Sequence, residues 1–388
     1  MIRDPEGFGT FLETVRAFVA ERCVVREEQI EREDRVPDDL VAELAAAGYF
    51  GWSIPEAYGG AGFTTEELVL AAFELSQCSP AIRARVGTNT GIGAGPLIAA
   101  GTEEQKRSFL PRLARGEMTG CFALTEPDAG SDATALVTRA VRDGDDWVLN
   151  GTKCFITNAP IADLYTVFAR THQAERGAAG ISAFLVERGT SGLLASEPYR
   201  KMGQAGSPVG DVTLVDCRVP AGMLLGAVEG TGFQAAMTTL VCQRIHLAAL
   251  CVGPAVRMLR DGVTYGMARH QFGQPIADFQ LVEGMIADCR TETAAARALV
   301  LEAARAHDTG ADVRLEASMS KYFASEMCSR VADRVLQMHG GVGYLAGSAI
   351  ERFYRDVRLF RIYEGTSQIH QRTIAKLTKR QAAQGALG

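Results

Sequence analysis

A chain of 388 residues with 47% apolar and 22% charged residues is long enough for two or three structural units with sizeable cores, and it reads as globular. Its net charge of -6 gives no electrostatic ground for binding nucleic acid or an acidic membrane, and no uninterrupted apolar run reaches spanning length. Nine scattered cysteines without a C-x-x-C pair fit neither a disulfide framework nor a zinc site. With an N-terminus that lacks the apolar core of a secretion signal, they lead to an expected place in the reducing cytoplasm.

Residues 1–118 read as helices. Phe8, Phe11, Leu12, Val15, Phe18 and Val19 recur at helical spacing. Pro37 opens a second helix, Asp38 to Ala47, which Gly48 stops. Thr64-x-x-Glu67 and Thr102-x-x-Gln105 have the form of capping boxes. Between them lies the run Gly87-Thr-Asn-Thr-Gly-Ile-Gly-Ala-Gly-Pro96. It is not a dinucleotide loop, because no strand precedes it and Pro96 stands where the last glycine should be. Small side chains on a helix that packs closely against a ligand or another helix are the expectation.

Residues 119–228 change character. Val137 to Arg142 and Asp145 to Leu149, joined at Asp143-Gly144, form a hairpin signal, and Asn150-Gly151 reads as a second turn before Lys153 to Thr157. Leu164 to Ala169, Ile181 to Val186 and Val212 to Val215 are further strand candidates. Short strands with Gly/Asn/Asp turns suggest a small barrel or sandwich. His172 to Gly180, polar and small, reads as a mobile surface loop. Residues 229–388 are helical again, with long runs at Phe233–Ala268, Asp278–Asp308 and Asp312–Met338 and a last helix from about Thr366. Four such helices argue for an antiparallel bundle. Arg352, Arg355, Arg358 and Arg361 read as a solvated or interface stripe. His246, His270, His307, His339 and His370 show no ligand spacing and read as structural.

Chemistry concentrates around Glu364, in Arg361-Ile-Tyr-Glu-Gly-Thr-Ser-Gln-Ile369. Thr366 or Ser367 can cap the following helix. The helix dipole favours the ionised carboxylate and an apolar pocket opposes it, which together can poise a general base. Taken alone, a surface Glu beside a turn is the competing reading. Phe122-Ala-Leu-Thr-Glu-Pro-Asp-Ala-Gly-Ser131 is a strand running into small and polar groups. It could approach a ligand through Gly130 or simply close a strand. Phe155 and Thr157, two apart on a strand, share a face. Arg269, in Arg269-His-Gln-Phe-Gly-Gln-Pro275, suits a pyrophosphate or a solvated helix end.

Three separated motifs, Leu124-Thr-Glu-Pro-Asp-Ala-Gly-Ser-Asp132, Gln337-Met-His-Gly-Gly-Val-Gly-Tyr344 and Tyr363-Glu-Gly-Thr-Ser-Gln368, resemble those of the acyl-CoA dehydrogenases in the expected order. The resemblance spans about Phe11 to Lys379. It implies an N-terminal helical domain, a central small β-barrel and a C-terminal four-helix bundle, mainly α. It also implies FAD, an acyl-CoA substrate, an electron-transferring flavoprotein as acceptor and a homotetramer. In that likeness Glu364 is the base. Phe122, Leu124, Thr125, Gly130, Ser131, Phe155 and Thr157 hold the flavin, with Thr366 and Gln368 also on the cofactor. Arg269, Gln271, Phe272 and Gln280, with Gln337, Gly340 and Gly341, reach the FAD of a neighbouring subunit. Ser131, Thr171, Gln243, Arg244 and Gly365 face the substrate. Two departures stand out. Gln243 occupies the position where some relatives carry their catalytic Glu, which leaves Glu364. Val241 replaces a substrate-contacting Asp of many relatives, so a carrier-protein thioester stays open. An oxidase, a monooxygenase or a non-catalytic flavoprotein are the alternatives on this fold.

Overall fold

The computed structural model describes residues 1–172 and 177–386. Seven helices come first: α1 (Pro5–Phe18), α2 (Glu27–Glu33), α3 (Asp38–Ala46), α4 (Thr65–Leu75), α5 (Pro80–Thr88), α6 (Gly95–Ala100) and α7 (Glu103–Ala114). Both capping boxes form as read: Thr64 and Thr102 accept from the backbone N–H three residues on, and Glu67 and Gln105 reach back to the cap N–H. Gly48, at φ +76°, ends α3 by turning left-handed.

Seven strands follow: β1 (Gly120–Ala123), β2 (Arg139–Asp143), β3 (Asp146–Thr157), β4 (Leu164–Arg170), β5 (Ile181–Glu187), β6 (Leu193–Ala195) and β7 (Val209–Pro220). They form one curled mixed sheet in the order β1-β4-β2-β3-β7-β6, with β5 also on β4. The β2–β3 hairpin pairs antiparallel from Arg139 opposite Asn150 to Asp143 opposite Asp146. The second turn expected at Asn150-Gly151 does not exist. Strand β3 runs straight through it, and the register against β7 slips between Leu149 and Gly151, so the pair makes a bulge. A second slip lies between Lys153 and Ile156 and puts Phe155 at φ +58°. Of the loop expected over His172 to Gly180, residues 173–176 lie outside the described residues.

The C-terminal part contains α8 (Gly232–Ala268), the two-residue strands β8 (His270–Gln271) and β9 (Gln274–Pro275), α9 (Gln280–Asp308), α10 (Arg314–His339), α11 (Ala349–Val357) and α12 (Ser367–Ala383). Helices α8, α9, α10 and α12 pack as the bundle. Helix α8 is long and apolar enough to cross a membrane, but most of its apolar stretch is buried within the protein. Its central residues Ile245 to Val252 share a core with Val69, Ala72 and Phe73 of α4 and with Val300, Val331 and Val335 of the bundle. A second core joins Leu97 and Leu110 to Phe122 and Phe168 of the sheet and to Ala235 and Ala236 at the start of α8. The helical, sheet and bundle segments therefore share their interiors.

The arginine stripe is docked rather than solvated over most of its length. Arg352 is buried and pairs with Glu27 of α2, Arg355 pairs with Glu351 and Glu31, and Arg361 pairs with Glu326. Its physical reason is that α11 lies against α2 and needs cations where α2 offers carboxylates.

Gly253 marks the closest approach of α8 to α4, because a Cβ there would stand 2.0 Å from Ser76 Oγ and 2.9 Å from the Phe73 carbonyl. Gly253→Ala is expected to cost about 1–3 kcal/mol, the usual scale of overpacking, read as a lowered midpoint in thermal or urea unfolding.

Candidate active site

A cavity of about 400 Å3 opens where α5, the ends of β1 and β3, the start of α8 and the turn before α12 meet. Its walls include Phe122, Leu124, Thr125, Phe155, Thr157, Arg83, Arg244 and Glu364. A more open groove beside α1 carries Arg16–Glu74 and Arg257–Asp261 ion pairs, so its charges are already matched.

Glu364 stands in the cavity in an unusual backbone. It has φ +52°, and Gly365 follows at φ +97°. Only glycine fits at the second position, where a Cβ would lie 2.9 Å from His370 Nε2. Three groups hold the turn. His370 Nε2 lies 3.2 Å from the Glu364 carbonyl, Lys321 Nζ donates to the Gly365 carbonyl at 2.6 Å, and Thr366 caps α12 by accepting from Ile369 N–H. Burial and the nearby Lys321 and Arg244 charges hold the His370 ring neutral, down to about 3, so Nε2–H is the donor. Ser367 does not cap; it donates to Glu326.

The Glu364 Oε2 atom is enclosed and has no hydrogen-bond partner among the described residues. Among the described residues nothing accepts from the Glu364 N–H. Burial raises the carboxyl pKa, and the Arg83, Lys321 and Arg244 charges pull it back. Lys321 is itself fully buried, and desolvation lowers it to about 8.

The β-side of the cavity is aromatic, apolar and hydroxylic. Phe122 packs on Phe168 with ring centroids 4.7 Å apart, while Phe155 is 68% exposed at the mouth. Gly130 has open space on its Cβ side, and Ser131 lines the same edge. The strand end is fixed from below: buried Lys153 Nζ donates to the Leu124 carbonyl at 3.1 Å and to Glu126 at 2.7 Å, and Glu126 also accepts from Val137 and Thr138 N–H. Phe122, Leu124 and Phe155 with the hydroxyls of Thr125, Ser131 and Thr157 make a lining whose chemistry suits a flat heteroaromatic ring.

Other residues singled out in the sequence lie elsewhere. Gln243 is buried with its amide against Gly91, where a Cβ would come within 2.2 Å of Oε1, and it is not among the cavity-lining residues. The glycine run is thus a close helix contact, as expected. Thr171 bonds Ser182 Oγ at 2.9 Å, away from the cavity. Arg269, Gln271, Phe272, Gln280, Gln337, Gly340, Gly341 and Gln368 are all exposed. The segments that carry Arg269 and Gly340 meet at one end of the bundle, where Tyr265 stacks on His339 at 4.3 Å. They lie off the chain's own cavity. Arg83, Lys321 and Lys153 were not singled out in the sequence. Each is a cation inside a regular helix or strand, where the pattern alone reads as surface, and only Arg83 carries a faint signal, standing in the apolar run Ala81 to Val86.

A helical, β-sheet and helical-bundle chain with a buried carboxylate facing an aromatic- and hydroxyl-lined cavity has the make-up of a flavin-dependent oxidoreductase acting on CH–CH bonds. Models of the acyl-CoA dehydrogenase N-terminal, middle and C-terminal domains match residues 8–117, 121–217 and 230–378. An acyl-CoA dehydrogenase of Bacillus subtilis is 40% identical over 362 residues, 93% of this chain and 95% of that protein. A caffeyl-CoA reductase-Etf complex subunit of Acetobacterium woodii is 39% identical over 348 residues, 90% of this chain and 91% of that one. The butyryl-CoA dehydrogenase structure from Megasphaera elsdenii superposes with a TM-score of 0.93 at 34% identity, covering 98% of this chain and 100% of that chain. The chain belongs to the acyl-CoA dehydrogenase family, and its cofactor is FAD.

Lys321 supplies both a bond to the Glu364–Gly365 turn and a charge that favours the Glu364 carboxylate. Lys321→Met is expected to raise the Glu364 pKa. A base works only when deprotonated, so the acid limb of the pH profile for flavin reduction should move to higher pH. An unmoved limb would remove Lys321 from this role.

Proposed function

We propose that this protein dehydrogenates an acyl-CoA between the carbons next to and once removed from the thioester carbonyl, giving the trans-2-enoyl-CoA. The observation that carries this reading is the Glu364 carboxylate, which lines the aromatic and hydroxylic cavity with its enclosed Oε2 unpartnered among the described residues and with three cations around it. Glu364 Oε2 removes the proton beside the thioester carbonyl. Negative charge then develops on the carbonyl oxygen, and the free Glu364 N–H is the donor this chain offers to it. Bound FAD supplies the acceptor for the hydride from the next carbon. Phe122, Leu124, Thr125, Phe155 and Thr157 position the ring, and their apolar surface excludes water from the reacting carbons. Substrate filling the cavity desolvates Glu364 further and raises its proton affinity at the moment it must accept a proton.

An electron-transferring flavoprotein is the proposed electron acceptor, a reading supported by the A. woodii relative named for its Etf complex. The same residues serve the reverse, reductive direction where electron supply favours it. Dimeric contacts are built on the bundle end that carries Arg269 and Gly340, with a homotetramer as the full assembly. In support, Met267, Phe272, Leu281, Val342, Tyr344 and Leu345 are all exposed there, with Phe272 at 94%. The cytoplasm is the proposed location. Coenzyme A is the proposed carrier, because the named relatives act on CoA esters. A carrier-protein thioester is the outcome to compare.

Anaerobic addition of acyl-CoA and acyl-carrier-protein thioesters to the FAD-loaded protein should bleach the flavin with the CoA esters. Glu364→Gln should retain FAD yet lose at least about 10²-fold in that rate, the scale of a lost general base. Near-normal bleaching by this variant would sink the assignment. Arg269→Ala is expected to release FAD and weaken the assembly, and a fully yellow, full-size peak in gel filtration would contradict the contact between subunits.

A further inference from the structure

One stretch of the cavity wall hangs on two distant carboxylates. Residues 201–207 enter β7, and Lys201, Gln204 and Ser207 among them line the cavity. The one large apolar side chain of the stretch, Met202, is 61% exposed, so apolar burial does little to hold it. Gln204 is buried and adopts φ +54°, a conformation that a non-glycine residue keeps only under restraint. The restraint is polar. The Gln204 N–H donates to the Asp356 carboxylate, and its side-chain amide donates to the Asp356 carbonyl at 3.2 Å. On either side, Arg355 donates to the Met202 carbonyl at 3.1 Å, and the Gly206 N–H donates to Asp34 at 2.6 Å. The backbones approach closely here, since a Cβ on Gly203 would stand 2.7 Å from the carbonyl carbon of Arg355.

This stretch bridges the two working walls of the cavity. Asp356 lies at the end of α11, and the chain runs from it through the turn Arg358–Arg361 to Tyr363 and Glu364. The Gln204 amide also lies beside the Tyr363 hydroxyl. At the other end, the Asn158 N–H, just beyond Phe155 and Thr157 on β3, donates to the Pro208 carbonyl at 2.8 Å. One contact chain therefore connects the arm that carries the base to the strand that lines the flavin slot. Proton and hydride leave neighbouring carbons, so these two walls must keep a fixed separation.

Asp356 is 5% exposed and forms no ion pair among the described residues. Its nearest cations are taken: Arg352 by Glu27, and Arg355 by Glu351 and Glu31. Beyond them, Arg257 of α8 is held by Asp261 and Glu27, and Arg361 by Glu326 of α10. Lys201 lines the cavity, and the Glu31 charge opposes that of Asp356. Burial pushes Asp356 up to about 7.

We propose that Asp356 is a positioning residue: through Gln204 it holds residues 201–207 against the cavity and so fixes the flavin-lining wall relative to the turn that carries Glu364. This rests on FAD occupying the cavity and not on which thioester is oxidised. Protonation of Asp356 removes the charge from the acceptor of the Gln204 N–H, so the hold weakens as pH falls through about 7.

The test follows release of FAD from the full-length, FAD-loaded Glu364→Gln variant on dilution, read as the rise of flavin fluorescence. Removing the base leaves its titration out of the result. Release should quicken about 5-fold between about pH 8 and about pH 6, the scale that separates a charged from a neutral hydrogen bond. Adding Asp356→Asn keeps the shape and an acceptor oxygen but cannot titrate, so release should be at the fast value at both pH values. Lys321 and Lys153, both lowered to about 8, are untouched by that change. A step that persists in Asp356→Asn belongs to them and overturns the proposal, as does a rate that does not change with pH before Asp356 is altered. Gln204→Gly tolerates the positive φ and retains the N–H. It should release FAD faster throughout and keep the step, and loss of the step there would overturn the backbone contact as the hold. With Glu364 in place, Asp356→Asn should lower the saturating rate of bleaching per bound flavin by more than it raises the half-saturating thioester concentration. FAD release needs no turnover, so it decides the role of Asp356 even if no acyl thioester bleaches the flavin, the result that would sink the dehydrogenase reading instead.

Discussion

Two successive residues of positive φ fix where the reactive carboxylate points, and much of the bundle exists to keep them there. A left-handed conformation costs a non-glycine residue roughly 1–2 kcal/mol, and Glu364 accepts it without a side-chain bond in return. Compensation comes from the backbone. The carbonyls of Glu364 and Gly365 accept from His370 and Lys321, one on α12 and one on α10. Both donors are buried, so neither bond competes with water. The turn is therefore only as stable as the packing of α10 against α8 and α12.

The remaining walls are tied to that frame by buried polar contacts rather than by apolar packing alone. Gln204, on the loop entering β7, donates its N–H to Asp356 of α11 and bonds the Asp356 carbonyl with its amide. Burial pushes Asp356 up to about 7, and the Gln204 bond opposes the shift. Arg352 carries α11 onto Glu27 of α2. Lys153 and Glu126 pin the end of β1, where the flavin slot begins. The Gln204–Asp356 and Arg352–Glu27 pairs each join two of the helical, sheet and bundle segments, while Lys153–Glu126 braces the sheet segment from within. A cavity shaped by all three cannot be assembled by any one.

What the sequence revealed follows from how local each signal is. Capping boxes, the β2–β3 hairpin and the long amphipathic runs are contacts between near neighbours, so spacing alone discloses them. Asn150-Gly151 has the chemistry of a turn, but cross-strand pairing with β7 absorbs it as a bulge, and that pairing partner lies more than sixty residues away. Glu364 was readable through its motif. Its supports were not: Lys321 sits in a helix where lysine ordinarily means solvent, and only the fold brings its Nζ under Gly365. Arg352 is the same case inverted, since a regular basic stripe gives no hint that one member is buried against a distant glutamate.

Electrostatics then decide how the site balances stability against reactivity. A carboxyl whose pKa is raised on folding costs nothing below its ordinary pKa. The cost grows as pH rises from there through the raised value, and above it the full penalty remains. Glu364 incurs that penalty as pH rises above the ordinary carboxylate range, because burial is the largest influence on it. Removing the carboxyl would relieve the fold and end the chemistry. The chain instead keeps it and surrounds it with cations that reduce the shift. Those cations are themselves desolvated, as the lowered Lys321 and Arg244 values record. The strain of one buried charge has thus been exchanged for a set of mutually dependent ones.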